Sequence, residues 1–374
     1  MHTTFTVAEF FAGIGLVRMA LERVGGQVLF ANDIDPLKYQ MYKHEFGDSD
    51  GKFRLGDIHE IKGTDIPEVD LATASFPCTD LSLAGARKGL SGDHSSTFWE
   101  FLRIITEMQL RPRLLLIENV PGFLTSHEGK DFTLAVQALN GLGYAVDPIL
   151  VDAVDFVPQS RLRLFLVARH NTRSTEIRER PKQYGFFEQI GRPKNIADLI
   201  FSHPDLMWDL AELPPLPTRH TRLADVLEDY PKSDPIWWNR ERSDYLISQM
   251  SHRHKSIADQ MIQGTEWTYG TVFRRVRNGV TRAELRTDGV AGCLRTPKGG
   301  SGRQILIKMG FGDHQVRLLS GRECARLMGA DHYNLNVPLN QALFGFGDAF
   351  CVPAVTWVAT HAILPYLCIK ALSA

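Results

Sequence analysis

One cysteine in this sequence stands where covalent chemistry is possible. Ser75-Phe76-Pro77-Cys78-Thr79-Asp80-Leu81-Ser82 closes an apolar run. A thiolate at a strand end is a strong nucleophile, whereas a lone cysteine elsewhere is usually a small buried hydrophobe. Glu118-Asn119-Val120-Pro121-Gly122 closes the next apolar run and brings a carboxyl group to the same edge. Gln159-Ser160-Arg161-Leu162-Arg163 precedes another run. In an extended segment Arg161 and Arg163 point the same way, and two guanidiniums can clamp a carboxylate, a phosphate or a base edge. The Gly- and Ser-rich stretch after Cys78 (Gly85, Gly89, Ser91, Gly92, Ser95, Ser96) reads as a lid.

A second set of residues suits a cofactor. Phe10-Phe11-Ala12-Gly13-Ile14-Gly15 closes the first apolar run and opens a helix, so a backbone free of side chains can approach a ligand at a helix N-terminus. The third glycine of a dinucleotide fingerprint is missing, because Arg18 stands there. Asn32-Asp33-Ile34-Asp35 ends the next run, at the spacing where a carboxylate binds a ribose diol. Gly56-Asp57-Ile58 follows, a carboxylate and an apolar residue suited to an amine and a ring face. Three such sites after successive strand–helix units point to an adenosine-type cofactor, although each carboxylate alone also reads as a helix cap.

The elements that must position these residues alternate. Strands are expected at 5–11, 27–32, 69–75, 114–118, 145–151 and 164–168, and helices at 14–24, 36–46, 97–109 and 132–142. That order implies an α/β fold, a doubly wound, mostly parallel sheet with helices on both faces and ligands at the carboxyl ends of its strands. After about residue 172 the pattern weakens and Pro, Trp and charge increase. Residues 253–308 carry eleven basic and four acidic side chains, a net of +7 that leaves −8 for the rest of the chain. Such a segment holds phosphates or forms a solvated basic face.

The 374 residues carry 42 Lys and Arg against 43 Asp and Glu, so nucleic-acid binding, if present, is local. The composition excludes wholesale disorder, collagen and a disulfide-stapled miniprotein. The five cysteines form no CxxC pair, which fits no zinc site and suits a reducing, cytoplasmic setting; no metal is expected. Cys293, Cys324, Cys351 and Cys368 read as packing residues. The N-terminus does not read as a signal peptide. Between Ala349 and Lys370 the chain is apolar, but Pro353, His361 and Pro365 favour a buried helix over a membrane span.

In these motifs and their order the sequence resembles the cytosine-C5 DNA methyltransferases. The resemblance also takes in Arg322-Glu323-Cys324-Ala325-Arg326-Leu327-Met328-Gly329 and Phe344-Gly345-Phe346-Gly347-Asp348-Ala349, and so runs nearly end to end. It implies a Rossmann-like class I methyltransferase domain at 1–172, a smaller, irregular target-recognition domain at 173–337 and a segment at 338–374 that completes the first. It also implies S-adenosylmethionine as cofactor and S-adenosylhomocysteine as product. The cofactor site would comprise Phe11, Ala12, Gly13, Ile14, Gly15, Leu16, Asp33, Ile34, Asp57, Ile58, Pro77, Phe98, Asp348 and Ala349. Cys78 would attack C6 of a cytosine turned out of duplex DNA, Glu118 would bind its N3 side, Arg163 would contact the base and Arg161 would orient the loop or a phosphate. Ser82, Arg274, Arg275, Arg277, Arg295 and Lys298 would contact DNA. A monomer in a bacterial or phage-infected cytoplasm, near the nucleoid and associated with restriction or another defence system, is the expected setting.

Three positions depart from the family pattern. Leu16 stands where another glycine is common, so the turn must accommodate a side chain. Asp33 replaces the usual Glu. Asp348 stands in place of the usual Asn, where a carboxylate attracts a sulfonium but repels the methionine carboxylate, so weaker or altered cofactor preference is expected. Three other functions compete with the methyltransferase reading. The tRNA branch of the family carries a Cys-Phe-Thr signature absent here. Intact Cys78, Glu118, Arg161 and Arg163 disfavour a silent binding module. Phe76-Pro77-Cys78 with Glu118-Asn119-Val120 disfavours a nicotinamide oxidoreductase.

Overall fold

A computed structural model of the chain describes residues 4–47, 51–76, 97–170, 191–277, 279–296 and 303–368. The chain divides into two compact units. The first is 1–152, 162–216 and 354–374; the second is 153–161 and 217–353.

The first unit is built on a seven-stranded sheet. Its strands are β1 (Phe5–Phe10), β2 (Gly26–Asp33), β3 (Phe53–Leu55), β4 (Leu71–Ala74), β5 (Leu114–Asn119), β6 (Tyr144–Asp152) and β7 (Leu162–His170), in the spatial order β3-β2-β1-β4-β5-β7-β6. The β1–β2, β1–β4, β2–β3 and β4–β5 pairs are parallel, and β7 runs antiparallel to both its neighbours. Strand order reverses between β1 and β4, which makes their carboxyl ends the expected ligand crevice.

Local chemistry sets the helices. In the helix Pro36–Phe46 the Asp35 side chain accepts the N–H groups of Leu37 and Lys38, and Pro36 occupies the first turn, where its missing N–H costs nothing. In the helix Thr97–Glu107, Phe98, Phe101, Leu102 and Ile105 recur at helical spacing and are completely buried. They join the core formed with β1, β4 and β5.

The first unit extends past the expected boundary near 172, to Leu216. Arg192 explains why. Its guanidinium reaches Asp147 Oδ1 of β6 at 2.7 and 3.0 Å, and both side chains are almost fully buried. Breaking such a buried pair by removing one partner typically costs about 3–5 kcal/mol. Trp208, also fully buried, packs in the same core. The C-terminal return joins this unit from Ala354 rather than from 338. Arg169 of β7 donates to Ala362 O at 2.9 Å and stacks on Tyr366, and Arg113 donates to Tyr366 O at 3.0 Å. One helical stretch, Leu339–Leu367, is long and apolar enough to cross a membrane by length and composition. Its most apolar window has a mean hydropathy of 1.5 and is 72% buried within the protein.

The second unit is more regular than expected. It contains a four-stranded antiparallel sheet of β8 (Thr268–Arg277), β9 (Val280–Arg286), β10 (Ile305–Gly310) and β11 (Asp313–Leu318), ordered β11-β10-β8-β9. Helices at Arg240–Ser248 and His252–Ile262 contribute Leu246, Ile247, Ala258 and Ile262 to its core, against Val272, Ala283 and Ile305. Helices at Gly321–Leu327 and Leu339–Asp348 also belong to this unit. Phe346 and Phe350 are buried.

Candidate active site

Glu118 is the centre of the site in the first unit. It is the next-to-last residue of β5, is 8% exposed, and receives a contact on each carboxylate oxygen. Arg163 Nε lies 2.9 Å from Oε1, and the Ser75 hydroxyl donates to Oε2 at 3.0 Å. Register produces this convergence. Glu118 faces Phe165 across the antiparallel β5–β7 ladder, so Arg163, two residues earlier, is its diagonal neighbour on the same face. Ala74 pairs with Ile117 in the parallel β4–β5 ladder, so Ser75 reaches the same edge as Glu118. The result is a carboxylate held in one orientation by a cation and a hydroxyl, with little water to screen it.

The adjoining residues are equally fixed. Asn119 Oδ1 accepts the N–H of Val120 at 2.8 Å, and its amide donates to Phe76 O at 3.4 Å. Phe76 is the last described residue before 97, so Pro77, Cys78 and Ser82 lie outside the described residues. Ser75 was not singled out from sequence. Its signal was its place one residue before Phe76-Pro77-Cys78, which gains meaning only once β4 is set beside β5.

Arg161 and Arg163 have separate partners rather than forming one clamp. Arg161 belongs to the second unit, is 4% exposed, and donates to Leu294 O at 2.8 Å, Gly347 O at 3.2 Å and Ala349 O at 2.6 Å. Gln159 reinforces the same junction, accepting Leu294 N–H at 2.9 Å and donating to Leu327 O at 2.7 Å. Gly347 permits the close approach, since a Cβ there would lie 2.4 Å from Thr296 N. Arg161 therefore positions backbone, whereas Arg163 positions Glu118.

The Gly turn after β1 is strained and tightly packed. Phe11 has φ +56° and Gly13 φ +56°, and Gly15 has φ +80°. A Cβ on Gly15 would come within 2.3 Å of the Phe46 ring and 2.8 Å of the Tyr42 ring. Ala12, Ile14 and Leu16 are buried, so their side chains face the core and the turn can offer a ligand only their backbone. Leu16, at 1% exposure, is absorbed by the core, which removes the steric burden expected of it. A non-glycine residue in the left-handed region is costly and tends to mark ligand sites.

The two carboxylates differ in state. Asp33 is 8% exposed, and its oxygens accept Gly13 N–H at 2.7 Å and Asp35 N–H at 2.9 Å. Burial raises its pKa from the ordinary range against those hydrogen bonds. Asp57 is well exposed, and the N–H and ring of His59 lower its pKa. Ile34 is 64% exposed beside Asp33, while Ile58 is in the core. Asn32 ties these strand ends together through Arg54 O and Gly56 O, both at 2.9 Å. An exposed apolar side chain, two carboxylates and a side-chain-free turn at adjacent strand ends fit an adenosine group with a charged tail. Phe98 is completely buried, with its ring 5.3 Å from Phe76 and from Trp99.

Among the second-unit residues expected at DNA, Arg275 is exposed and lies 3.4 Å from Glu284, Arg274 is half-buried, and Arg295 is exposed. Lys298 and the side chain of Arg277 lie outside the described residues. Asp348 is exposed at the carboxyl end of its helix, next to buried Ala349. Cys324 and Cys351 are buried and Cys293 is half-buried.

The sheet order, with one reversed strand, and the carboxylate at the end of β5 define a class I methyltransferase architecture. Solved structures share it. The Dnmt2 methyltransferase of S. pombe aligns with a TM-score of 0.63 at 18% identity, over 97% of this chain and 99% of that one. The methyltransferase EhMeth of Entamoeba histolytica aligns with a TM-score of 0.61 at 14% identity, over 98% and 99%. A model of the C-5 cytosine-specific DNA methylase family matches residues 5–363, and the chain belongs to that family. Type II methyltransferase M.HhaI of Haemophilus parahaemolyticus is 24% identical over 94% of this chain and 92% of its own length. Type II methyltransferase M.NlaX of Neisseria lactamica is 27% identical over 95% of each. The protein is a DNA (cytosine-5-)-methyltransferase, of a family that uses S-adenosylmethionine.

Proposed function

We propose that the enzyme methylates C5 of a cytosine turned out of a specific duplex DNA site, through a covalent bond between Cys78 and C6. The observation that carries this reading is buried Glu118, oriented by Arg163 and Ser75 at the carboxyl edge of the sheet. A base inside the stack cannot present C5 and C6 to such a pocket, so it must leave the helix. Cys78 Sγ bonds to C6 and the pyrimidine ring becomes electron-rich. Glu118 binds the N3 side and stabilises that charge, and Arg163 both orients Glu118 and contacts the base. S-adenosylmethionine, when bound, supplies an electrophilic methyl group and leaves as S-adenosylhomocysteine. Loss of the C5 proton and departure of the Cys78 sulfur from C6 then release 5-methylcytosine.

On this reading Phe11, Gly13 and Gly15 hold the methionine end of the cofactor, Asp33 and Ile34 its ribose and ring face, and Asp57 its adenine amine. The second unit reads the DNA. The Type II names of the relatives support a setting beside a restriction nuclease in a bacterial cytoplasm. The test is methyl transfer from labelled S-adenosylmethionine to unmethylated DNA and to tRNA in parallel, followed by nucleoside mass spectrometry. The expected product is 5-methyldeoxycytidine, abolished in Cys78→Ala. Label confined to tRNA, or product made by Cys78→Ala, would overturn the reading.

A further inference from the structure

We propose that Arg242, Arg274 and Arg303 form one anion site on the second unit that grips a backbone phosphate of the duplex. The proposal rests on the reading of this enzyme as acting on DNA, and it adds two residues, Arg242 and Arg303, that no sequence motif singles out.

The three side chains come from separate elements at one end of the sheet, near enough for the charges of Arg274 and Arg303 to act on Arg242. Ile305 of β10 pairs with Val272 of β8. β10 begins at Ile305, so Arg303 lies two residues before the strand, at the end of the ladder where β8 runs on from Val272 to Arg274. Arg274 lies on the face of β8 that carries buried Val272, the face packed on the helix Arg240–Ser248. Arg242 stands one turn before Leu246 of that helix and so comes to the rim of the same core. Its guanidinium lies 3.7 Å from the centre of the Trp238 ring, which holds it flat.

Nothing described neutralises this cluster. The nearby acids serve other cations: Glu284 lies 3.4 Å from Arg275, and Asp244 lies 3.1 Å from Arg240. Among the described residues no carboxylate pairs with Arg242, Arg274 or Arg303, and the Nε of Arg303 is buried without a hydrogen-bond partner. Burial depresses the basicity of Arg242, and the charges of Arg274 and Arg303 depress it further. Three guanidiniums in one field repel one another in the free protein, and an anion relieves that repulsion. Planar forks held by stacking suit phosphate oxygens. Gln304, the residue after Arg303, donates its side-chain amide to Cys293 O at 3.2 Å, which ties this end of the strand within the second unit.

A phosphate contact carries no sequence information, and this gives the test its discriminating power. Full-length enzyme, Arg242→Gln, Arg303→Gln, the double variant and Arg242→Lys are titrated across a salt series with a methylatable duplex and a duplex of unrelated sequence. Loss of one phosphate contact lowers the salt slope by about 0.9 and, at about 0.1 M salt, weakens binding about 8-fold. The double variant should show this loss equally on both duplexes, and in turnover it should fall on KM for DNA rather than on kcat. Each single Gln variant should lose less, and Arg242→Lys should recover part of the affinity. Unchanged affinity and slope in correctly folded Arg242→Gln and Arg303→Gln would overturn the site. Loss confined to the methylatable duplex would also overturn it, by making these residues base readers. A wild-type enzyme that binds tRNA and no duplex would instead defeat the underlying DNA reading.

Discussion

Glu9 interrupts the apolar strand β1 with a carboxyl group that is 1% exposed. Its Oε1 accepts the N–H of Arg18, in the first turn of the helix after the Gly turn, at 3.2 Å, and its Oε2 has no hydrogen-bond partner. Burial pushes its pKa from 4.5 up to about 8. The Arg18 hydrogen bond and charge oppose the shift, and Glu22 and Asp33 add to it. The sign of the effect on stability follows directly. Below pH 4.5 the group is protonated in both folded and unfolded chains and contributes no pH dependence. Between 4.5 and about 8 the unfolded chain releases the proton and the folded chain keeps it, so stability falls as pH rises, by about 1.4 kcal/mol per pH unit. Above 8 the loss is constant. Glu9→Gln copies the neutral form and should abolish this slope, giving a variant that is about 3 kcal/mol more stable than the parent at pH 7 and nearly equal to it near pH 5. Urea denaturation in a pH series measures the difference, and hydrogen exchange of the β1 amides assigns it to the first unit. Parallel stability curves for the two proteins would refute the reasoning, because they would require Glu9 to be ionised in the folded state.

Three further substitutions probe the site. Arg163→Leu removes the cation from Glu118 and should cost about 3 kcal/mol of stability. It should also lower kcat for methyl transfer, and unchanged turnover would separate Arg163 from the work of the carboxylate. Gly15→Ala places a Cβ in the left-handed region and against the Phe46 and Tyr42 rings, at a cost of about 2 kcal/mol or more. Thermal melting checks this, and titration calorimetry should show weaker S-adenosylmethionine binding. Asp348→Asn removes a negative charge from a helix carboxyl end, which should add about 0.5 kcal/mol of stability. It should also tighten S-adenosylmethionine binding, by on the order of 1 kcal/mol, in the same calorimetric titration. Unchanged affinity would show that Asp348 does not act on the cofactor.

Residues whose meaning depends only on their neighbours in the chain were readable in advance. Asp33 follows a short apolar run and stands at the end of β2, whereas the three-residue strand before Asp57 has no such run to announce it. Residues whose meaning depends on register were not. Ser75 is an ordinary serine until β4 lies beside β5 and brings it to Glu118. Arg161 and Arg163 look alike in an extended segment, yet one ends at backbone carbonyls and the other at a carboxylate, because β7 begins between them. The sheet of the second unit was hidden for a related reason. Its strands carry arginine and glycine where a buried parallel strand carries valine and leucine, so the apolar runs are too short to announce themselves. β8 carries Arg274 on the face of buried Val272 and Arg275 on the face of Phe273 and Glu284, so charge interrupts the apolar alternation on both faces. The charge of residues 253–308, rather than their periodicity, was the signal that set this segment apart.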